Sequence, residues 1–223
     1  MRPRLLLAHG WALDRTLWDR VLDELGADAD GACVMDAGYY GRPIKPVLDG
    51  GPVLGVGQSL GVLELLARAP APLAGLVAID GFARFAARPD FPEGQSAAGL
   101  KLMARRLSQA PGPLLADFIA KALAGAAPST GVPDRQALSE GLDRLRALDG
   151  REAARRLPIW RLHASADPIA PLALADASFV GADVRACHVR EAADHLSPIS
   201  APKACADLIR VALVALSAQA LSA

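Results

Sequence analysis

The stretch that most constrains this chain runs Val53-Leu54-Gly55-Val56-Gly57-Gln58-Ser59-Leu60-Gly61-Val62-Leu63-Glu64-Leu65-Leu66. An apolar run of strand character leads to a serine with a glycine two residues to either side, and a helical pattern follows. The reading is a buried strand, a sharp turn and a helix, with Ser59 at the tip. A serine on such a turn has a strained backbone, and small residues are needed at minus two and plus two because strand and helix crowd together there. Gly57 and Gly61 meet that need. The same five residues also describe a plain Gly/Ser turn between a strand and a helix, so context has to decide.

Short apolar runs, each followed by turn signals, recur at residues 5–8, 32–35, 53–56, 76–79, 159–162 and 184–189. They read as strands buried on both faces. Of the helical patterns between them, the clearest puts Leu17, Trp18, Val21, Leu22 and Leu25 on one face, with Asp14 as N-cap and Gly26 as stop. Strand alternating with helix predicts an α/β fold, a mainly parallel central sheet flanked by helices. A last helix is predicted from Ser197-Pro198, with Ile199, Cys205, Leu208, Ile209 and Leu213 on its buried face. From Phe82 to about Leu157 the alternation stops; residues 100–107, 114–123 and 135–157 are helical, with Pro-rich joints between them. The predicted organisation is a core of residues 1–82 and 158–223 with a helical cap inserted at 83–157.

A chain of 223 residues, about half of them apolar, supports one sizeable core and is short for two. Its formal charge is zero, which argues against a general affinity for nucleic acid or an anionic membrane and for a small or local partner. Within that neutral total, residues 84–156 carry 12 basic and 8 acidic side chains, a local +4 balanced by −4 elsewhere. A functional basic face and a merely solvated one both fit that excess. Cys33 and Cys187 fall in predicted strands and Cys205 in a predicted helix, as small hydrophobes, and an odd count fits a reducing, cytoplasmic setting. The apolar opening after Arg2-Pro3-Arg4 is broken at His9, so it reads as the first strand rather than a targeting segment. No apolar run approaches the roughly 20 residues of a membrane span.

A serine hydroxyl is a weak nucleophile; it needs a neighbouring base, and the base needs a third group to hold its tautomer. In an open parallel sheet such groups gather in the loops beyond the carboxyl ends of the strands. His188 falls inside a predicted strand, and His163 ends one. His195, between the last strand and the last helix, is the best-placed base, and Asp167 is the best-placed acid, although Asp-Pro also opens ordinary turns. Asp194 competes, but a residue directly before a histidine does not usually turn back to orient it. An oxyanion needs backbone N–H donors: Leu60, after the serine, supplies one, and His9-Gly10-Trp11 supplies the other through the Trp11 amide. Alone, Trp11 reads equally as a core residue. Taken together these point to a serine hydrolase. No cofactor or metal is called for: the four histidines are dispersed, and Gly55-Val56-Gly57 lacks the third glycine of a dinucleotide loop.

With Leu7-Ala8-His9-Gly10-Trp11-Ala12-Leu13, Gly57-Gln58-Ser59-Leu60-Gly61, Asp167-Pro168 and Asp194-His195-Leu196-Ser197-Pro198, in the order serine, acid, histidine, the chain resembles the α/β-hydrolase superfamily over essentially its whole length. Within it the chain resembles the BioH-type carboxylesterases, which cleave the methyl ester of pimeloyl-acyl carrier protein in biotin synthesis. The pointers are His-Gly-Trp and an insertion that begins Phe85-Ala86-Ala87-Arg88-Pro89-Asp90-Phe91-Pro92-Glu93-Gly94 and continues through residues 100–107 and Phe118. The resemblance implies a cap whose basic face receives the acidic carrier protein, with Arg84, Arg88, Lys101, Arg105, Arg106 and Lys121 in that part. Two alternatives stand beside it: within the same chemistry, a hydrolase of small esters or lactones, and, from another class, a hydrolase-like binding or scaffold protein without turnover. The chain departs from the family pattern in four places. It begins directly at the first central strand, its link from Asp36 to Val53 is short and too rich in glycine and proline for a full helix, Gln58 stands where histidine or tryptophan is frequent, and Val62 where a further glycine is frequent.

Overall fold

The computed structural model describes residues 2–48, 50–126, 129 and 131–222, the last three by their backbone alone. The described strands are β1 (Arg4–Ala8), β2 (Cys33–Val34), β3 (Val53–Gln58), β4 (Leu73–Ile79), β5 (Pro158–Ala164) and β6 (Asp183–Arg190). They form one sheet in the order β2-β1-β3-β4-β5-β6, and every neighbouring pair is parallel. An α/β fold with a parallel central sheet is thus what the chain adopts.

The central strands bury both faces, each against its own helices. On one side Leu5, Leu7, Leu54, Val56, Val77 and Ile79 join Trp18 and the apolar stripe of α1 (Asp19–Leu25). On the other, Leu6, Ala8, Leu76 and Ala78 meet Val62, Leu65 and Leu66 of α2 (Leu60–Arg68). Alternation along β1 and β4 sends successive side chains into different cores, and each fully buried leucine contributes about 1.5–3 kcal/mol. Ahead of α1 a 3₁₀ turn, Arg15–Trp18, is capped by the Asp14 carboxylate, which accepts from the Thr16 amide, and α1 stops at Gly26 with φ 54°.

Between β4 and β5 the chain is helical: α3 (Ala97–Gln109), α4 (Pro111–Ala122), α5 (Arg135–Ala147) and the single turn α6 (Arg151–Ala154). Ser96 caps α3 through the Gly99 amide, and Asp134 caps α5 through the Ala137 amide. The continuous helix expected over 135–157 is broken at 148–150. There Leu148 turns extended, its carbonyl accepts from Arg84, and the Gly150 amide donates to the Ala83 carbonyl. After β5 come α7 (Leu172–Ser178), the short α8 (Ser197–Ser200) and α9 (Pro202–Ser222), whose Cys205, Leu208, Ile209 and Leu213 lie in the first core. A single last helix was expected from Ser197; Pro202 divides it, because the residue before a proline is driven out of the helical region, and Ala201 has φ −145°.

Two strands differ from their sequence reading. β2 is only two residues long, and β6, expected to be buried on both faces, is mostly exposed. β6 is the sheet's edge, with one neighbour only, so its apolar residues go uncovered: Val189 is 48% exposed, and Cys187 is exposed rather than packed. Among the described residues no helix is long and apolar enough to cross a membrane.

Candidate active site

The turn after β3 has the geometry its glycines predict. Ser59 has φ 54° and ψ −122°, one of three non-glycine residues with positive φ among those described. Such a conformation is costly and persists where the surroundings fix it. The close approach is tight on both sides: a Cβ on Gly57 would lie 2.5 Å from the Val62 nitrogen, and one on Gly61 would collide with the Ala8 carbonyl oxygen. Ser59 is held by its amide, which donates to the Ile79 carbonyl (3.2 Å), and by its carbonyl, which accepts from the Val62 amide (3.1 Å).

The structure brings Ser59, His195 and Asp167 together. The Ser59 hydroxyl lies 2.8 Å from Nε2 of His195, whose Nδ1 is 2.6 Å from Oδ2 of Asp167. Asp167 follows the carboxyl end of β5, and its Oδ1 accepts from the Ile169 (2.8 Å) and Ala170 (2.9 Å) amides. Those bonds fix the carboxylate as acceptor, so Nδ1 of His195 carries the proton and Nε2 is free to receive one from Ser59. All three side chains are buried: Ser59 is 6% exposed, Asp167 3% and His195 1%. The backbone of His195 is held on both edges, with its amide donating to the Ala122 carbonyl at the end of α4 (2.6 Å) and its carbonyl accepting from Nε2 of Gln58 (2.7 Å).

Leu60 opens α2, where the first amides of a helix have no intrahelical acceptor. Opposite, Gly10 packs on Ser59; a Cβ there would lie 3.0 Å from Cβ of Ser59. Nε2 of His9 accepts from the Ala37 amide (3.0 Å), so Nδ1 is the protonated nitrogen and donates to the Gly10 carbonyl (2.9 Å). In a trans peptide the carbonyl and the following N–H point opposite ways, so this bond turns the Trp11 N–H away from His9. The Trp11 ring is core: its indole N–H donates to the Leu138 carbonyl (2.9 Å), and the ring stands perpendicular to that of Phe118 in a T-shaped contact.

The rejected candidates are engaged elsewhere. Nε2 of His163 is 2.7 Å from the Ala170 carbonyl, Asp194 accepts from Arg190 (2.8 Å) and Ser200 (3.1 Å), and His188 is exposed on the edge strand. The six basic residues do not form one face. Arg88, Lys101, Arg105 and Lys121 are exposed, and Arg106, half-exposed, pairs with Asp117. Arg84 must be withdrawn from a docking surface: it is 1% exposed and buried against the Leu148 carbonyl and Asp149 (both 3.3 Å).

Two residues that the sequence did not assign to the site belong to its support. Besides Gln58, Asp80 follows β4 with φ 45°, fully buried, and accepts from the amide (2.8 Å) and hydroxyl (2.9 Å) of Ser197, two residues past His195. Burial pushes its carboxyl up, against the pull of the nearby His195 and His163 rings and of Ser197. Its position, just beyond the carboxyl end of a strand, is the signal that could have found it. Asp80, His163 and Asp167 lie close together, and each is engaged within the protein: Asp80 accepts from Ser197, Asp167 from Ile169 and Ala170 and faces His195, and Nε2 of His163 faces the Ala170 carbonyl. A cavity of about 610 Å³ lies beside the site rather than over Ser59, lined by His9, Asp36, Tyr39, Leu60, Glu64 and Arg144. Burial there pushes the Tyr39 hydroxyl up to about 12 and raises Glu64, which Arg144 at 2.5 Å partly offsets.

No family model matches the chain. The biotin biosynthesis bifunctional protein BioHC of Cellvibrio japonicus is 28% identical over 202 residues, 78% of this chain, which spans 40% of that protein's length. The pimeloyl-[acyl-carrier protein] methyl ester esterase of Klebsiella pneumoniae is 30% identical over 197 residues, 75% of this chain and 76% of that one. Among solved structures, an esterase from Exiguobacterium antarcticum superposes with a TM-score of 0.76 at 15% identity, over 95% of this chain and 91% of that one, a likeness of fold. By fold across nearly its whole length and by sequence across three quarters of an esterase relative, the chain belongs to the α/β-hydrolase superfamily and resembles its BioH-type esterases.

Proposed function

We propose that the chain is a serine carboxylesterase acting through an acyl-enzyme, with Ser59 as nucleophile, His195 as base and Asp167 as its orienting acid. The carrying observation is the unbroken line from Ser59 Oγ through both ring nitrogens of His195 to Asp167. His195 takes the Ser59 proton as the oxygen attacks the ester carbonyl, and the carbonyl oxygen becomes an oxyanion facing the Leu60 and Trp11 amides. Collapse of the tetrahedral adduct breaks the bond to the alcohol oxygen, which receives the proton from His195. Water then attacks the acyl-enzyme by the same route, returning its proton to Ser59 and releasing the acid. Asp167 stabilises the imidazolium in each half. Ser59→Ala is expected to lower kcat for a short acyl ester by about 10⁴-fold or more and to abolish labelling by a fluorophosphonate. Unchanged hydrolysis would sink the assignment.

The substrate we infer is the methyl ester of a pimeloyl chain on acyl carrier protein, in a cytoplasmic setting. What supports it is the relative from Klebsiella pneumoniae, named for that ester, and the exposed Arg88, Lys101, Arg105 and Lys121 on the helical segment 83–157, which on this reading is a cap over the core. Three free cysteines fit the compartment. A second reading, a small diffusible ester or lactone, is favoured by the loss of Arg84 to the interior and of Arg106 to Asp117, which thins the basic face.

A further inference from the structure

We propose that Gln58 is a positioning residue: its side-chain amide holds the backbone carbonyl of His195 and so fixes the imidazole against Ser59. The inference rests on the hydrolase reading of Ser59 and His195. Gln58 ends β3 directly before Ser59, has no exposed surface, and donates Nε2 to the His195 carbonyl at 2.7 Å. The neighbouring edge of His195 is fixed as well, by the bond from its amide to the Ala122 carbonyl. With the backbone gripped on both sides, only the side-chain torsions of His195 remain free, and Asp167 and Ser59 take up the two ring nitrogens.

The other end of the same amide shows why the residue is not simply packing. Oε1 of Gln58 is buried with no hydrogen-bond partner among the described residues, and it sits against Gly10, where an added Cβ would collide with it. A buried acceptor without a donor costs free energy, so stability alone would favour an apolar side chain here. Turning the amide over gives no relief, since Oε1 would then face the His195 carbonyl, acceptor against acceptor. Gln58 therefore accepts a penalty at Oε1 and returns one thing, an N–H on the residue whose ring must meet Ser59. Such support matters because proton transfer is sensitive to sub-ångström misplacement of the base.

The test compares Gln58→Met, similar in length but without an N–H, with Gln58→His, which restores one, measuring kcat, KM and the thermal midpoint with a short acyl ester. Gln58→Met is expected to keep or raise the thermal midpoint and to hold KM within about twofold, while kcat falls about ten- to hundredfold. Gln58→His is expected to recover most of that loss. Wild-type kcat in Gln58→Met overturns the proposal, and so does a joint fall of kcat and thermal midpoint in both variants, the mark of a packing role. Ser59→Ala is measured beside them. Turnover surviving in Ser59→Ala removes the hydrolase reading and the tether with it, whereas an inactive Ser59→Ala next to a fully active Gln58→Met removes the tether alone.

Discussion

Ser59 is presented by strain, and its partners are held by polar contacts that leave few degrees of freedom. Asp80 shows what such support costs. Its carboxyl is raised from the ordinary 3.8 by burial, so between that value and its folded value the native state binds a proton that the unfolded chain has released. Stability from this group is complete below the unfolded pKa and is lost as pH rises through the folded one. In Asp80→Asn that loss is absent, and the asparagine oxygen still accepts from the Ser197 amide. The expected outcome is that the variant's thermal midpoint gains on wild type as pH is raised from about 4 towards neutrality. A gap that stays constant with pH would show that Asp80 does not titrate there. Ser59, Asp167 and His195 were legible because each lies in a local pattern: a glycine-bracketed turn, an Asp-Pro after a strand, a histidine ahead of the last helix. The contacts of Gln58 and Asp80 were not, since their partners lie 137 and 117 residues away and nothing local records them.

At the scale of elements, the two connections between sheet and helical segment are clasped to one another. Arg84 and Asp149 form an isolated antiparallel bridge, the Gly150 amide donates to the Ala83 carbonyl (2.7 Å), and Arg151 binds both Asp149 (2.8 Å) and Asp90 (2.6 Å). Removing Arg84 leaves Asp149 with Arg151 but orphans the Leu148 carbonyl. Arg84→Gln is expected to cost about 1–3 kcal/mol, read by urea unfolding, with the preference between carrier-bound and free esters unaltered. A changed preference would return Arg84 to the docking residues. This clasp also explains the break at 148–150 that helical periodicity could not show, because its cause is a cation from another segment. The edge exposure of β6 was hidden for a similar reason: an apolar run fixes a strand, whereas its rank in the sheet depends on the whole topology. The central strands were legible because alternate leucines must enter two cores, and only a sheet covered on both faces satisfies them.

Across the whole molecule, neutrality conceals an uneven distribution, with a local +4 over residues 84–156. Lys101 and Arg105 are one helical turn apart on α3 and exposed, so they share a face. Replacing both by alanine is expected to lower kcat/KM for an ester carried on acyl carrier protein by about tenfold at low salt, less as salt is added, and to leave a free short ester within about twofold. Equal losses on both would remove the carrier from the account and leave the small ester. The bond between the Ala122 carbonyl and the His195 amide bears on how such a protein diversifies. On the proposed mechanism the last turn of α4 is a seat for the base, so an exchange of helical segments between relatives succeeds only if that final carbonyl lands in register. New substrates can then be explored on the outward faces of α3 and α4, while the inner end of α4 is inherited with the chemistry it supports.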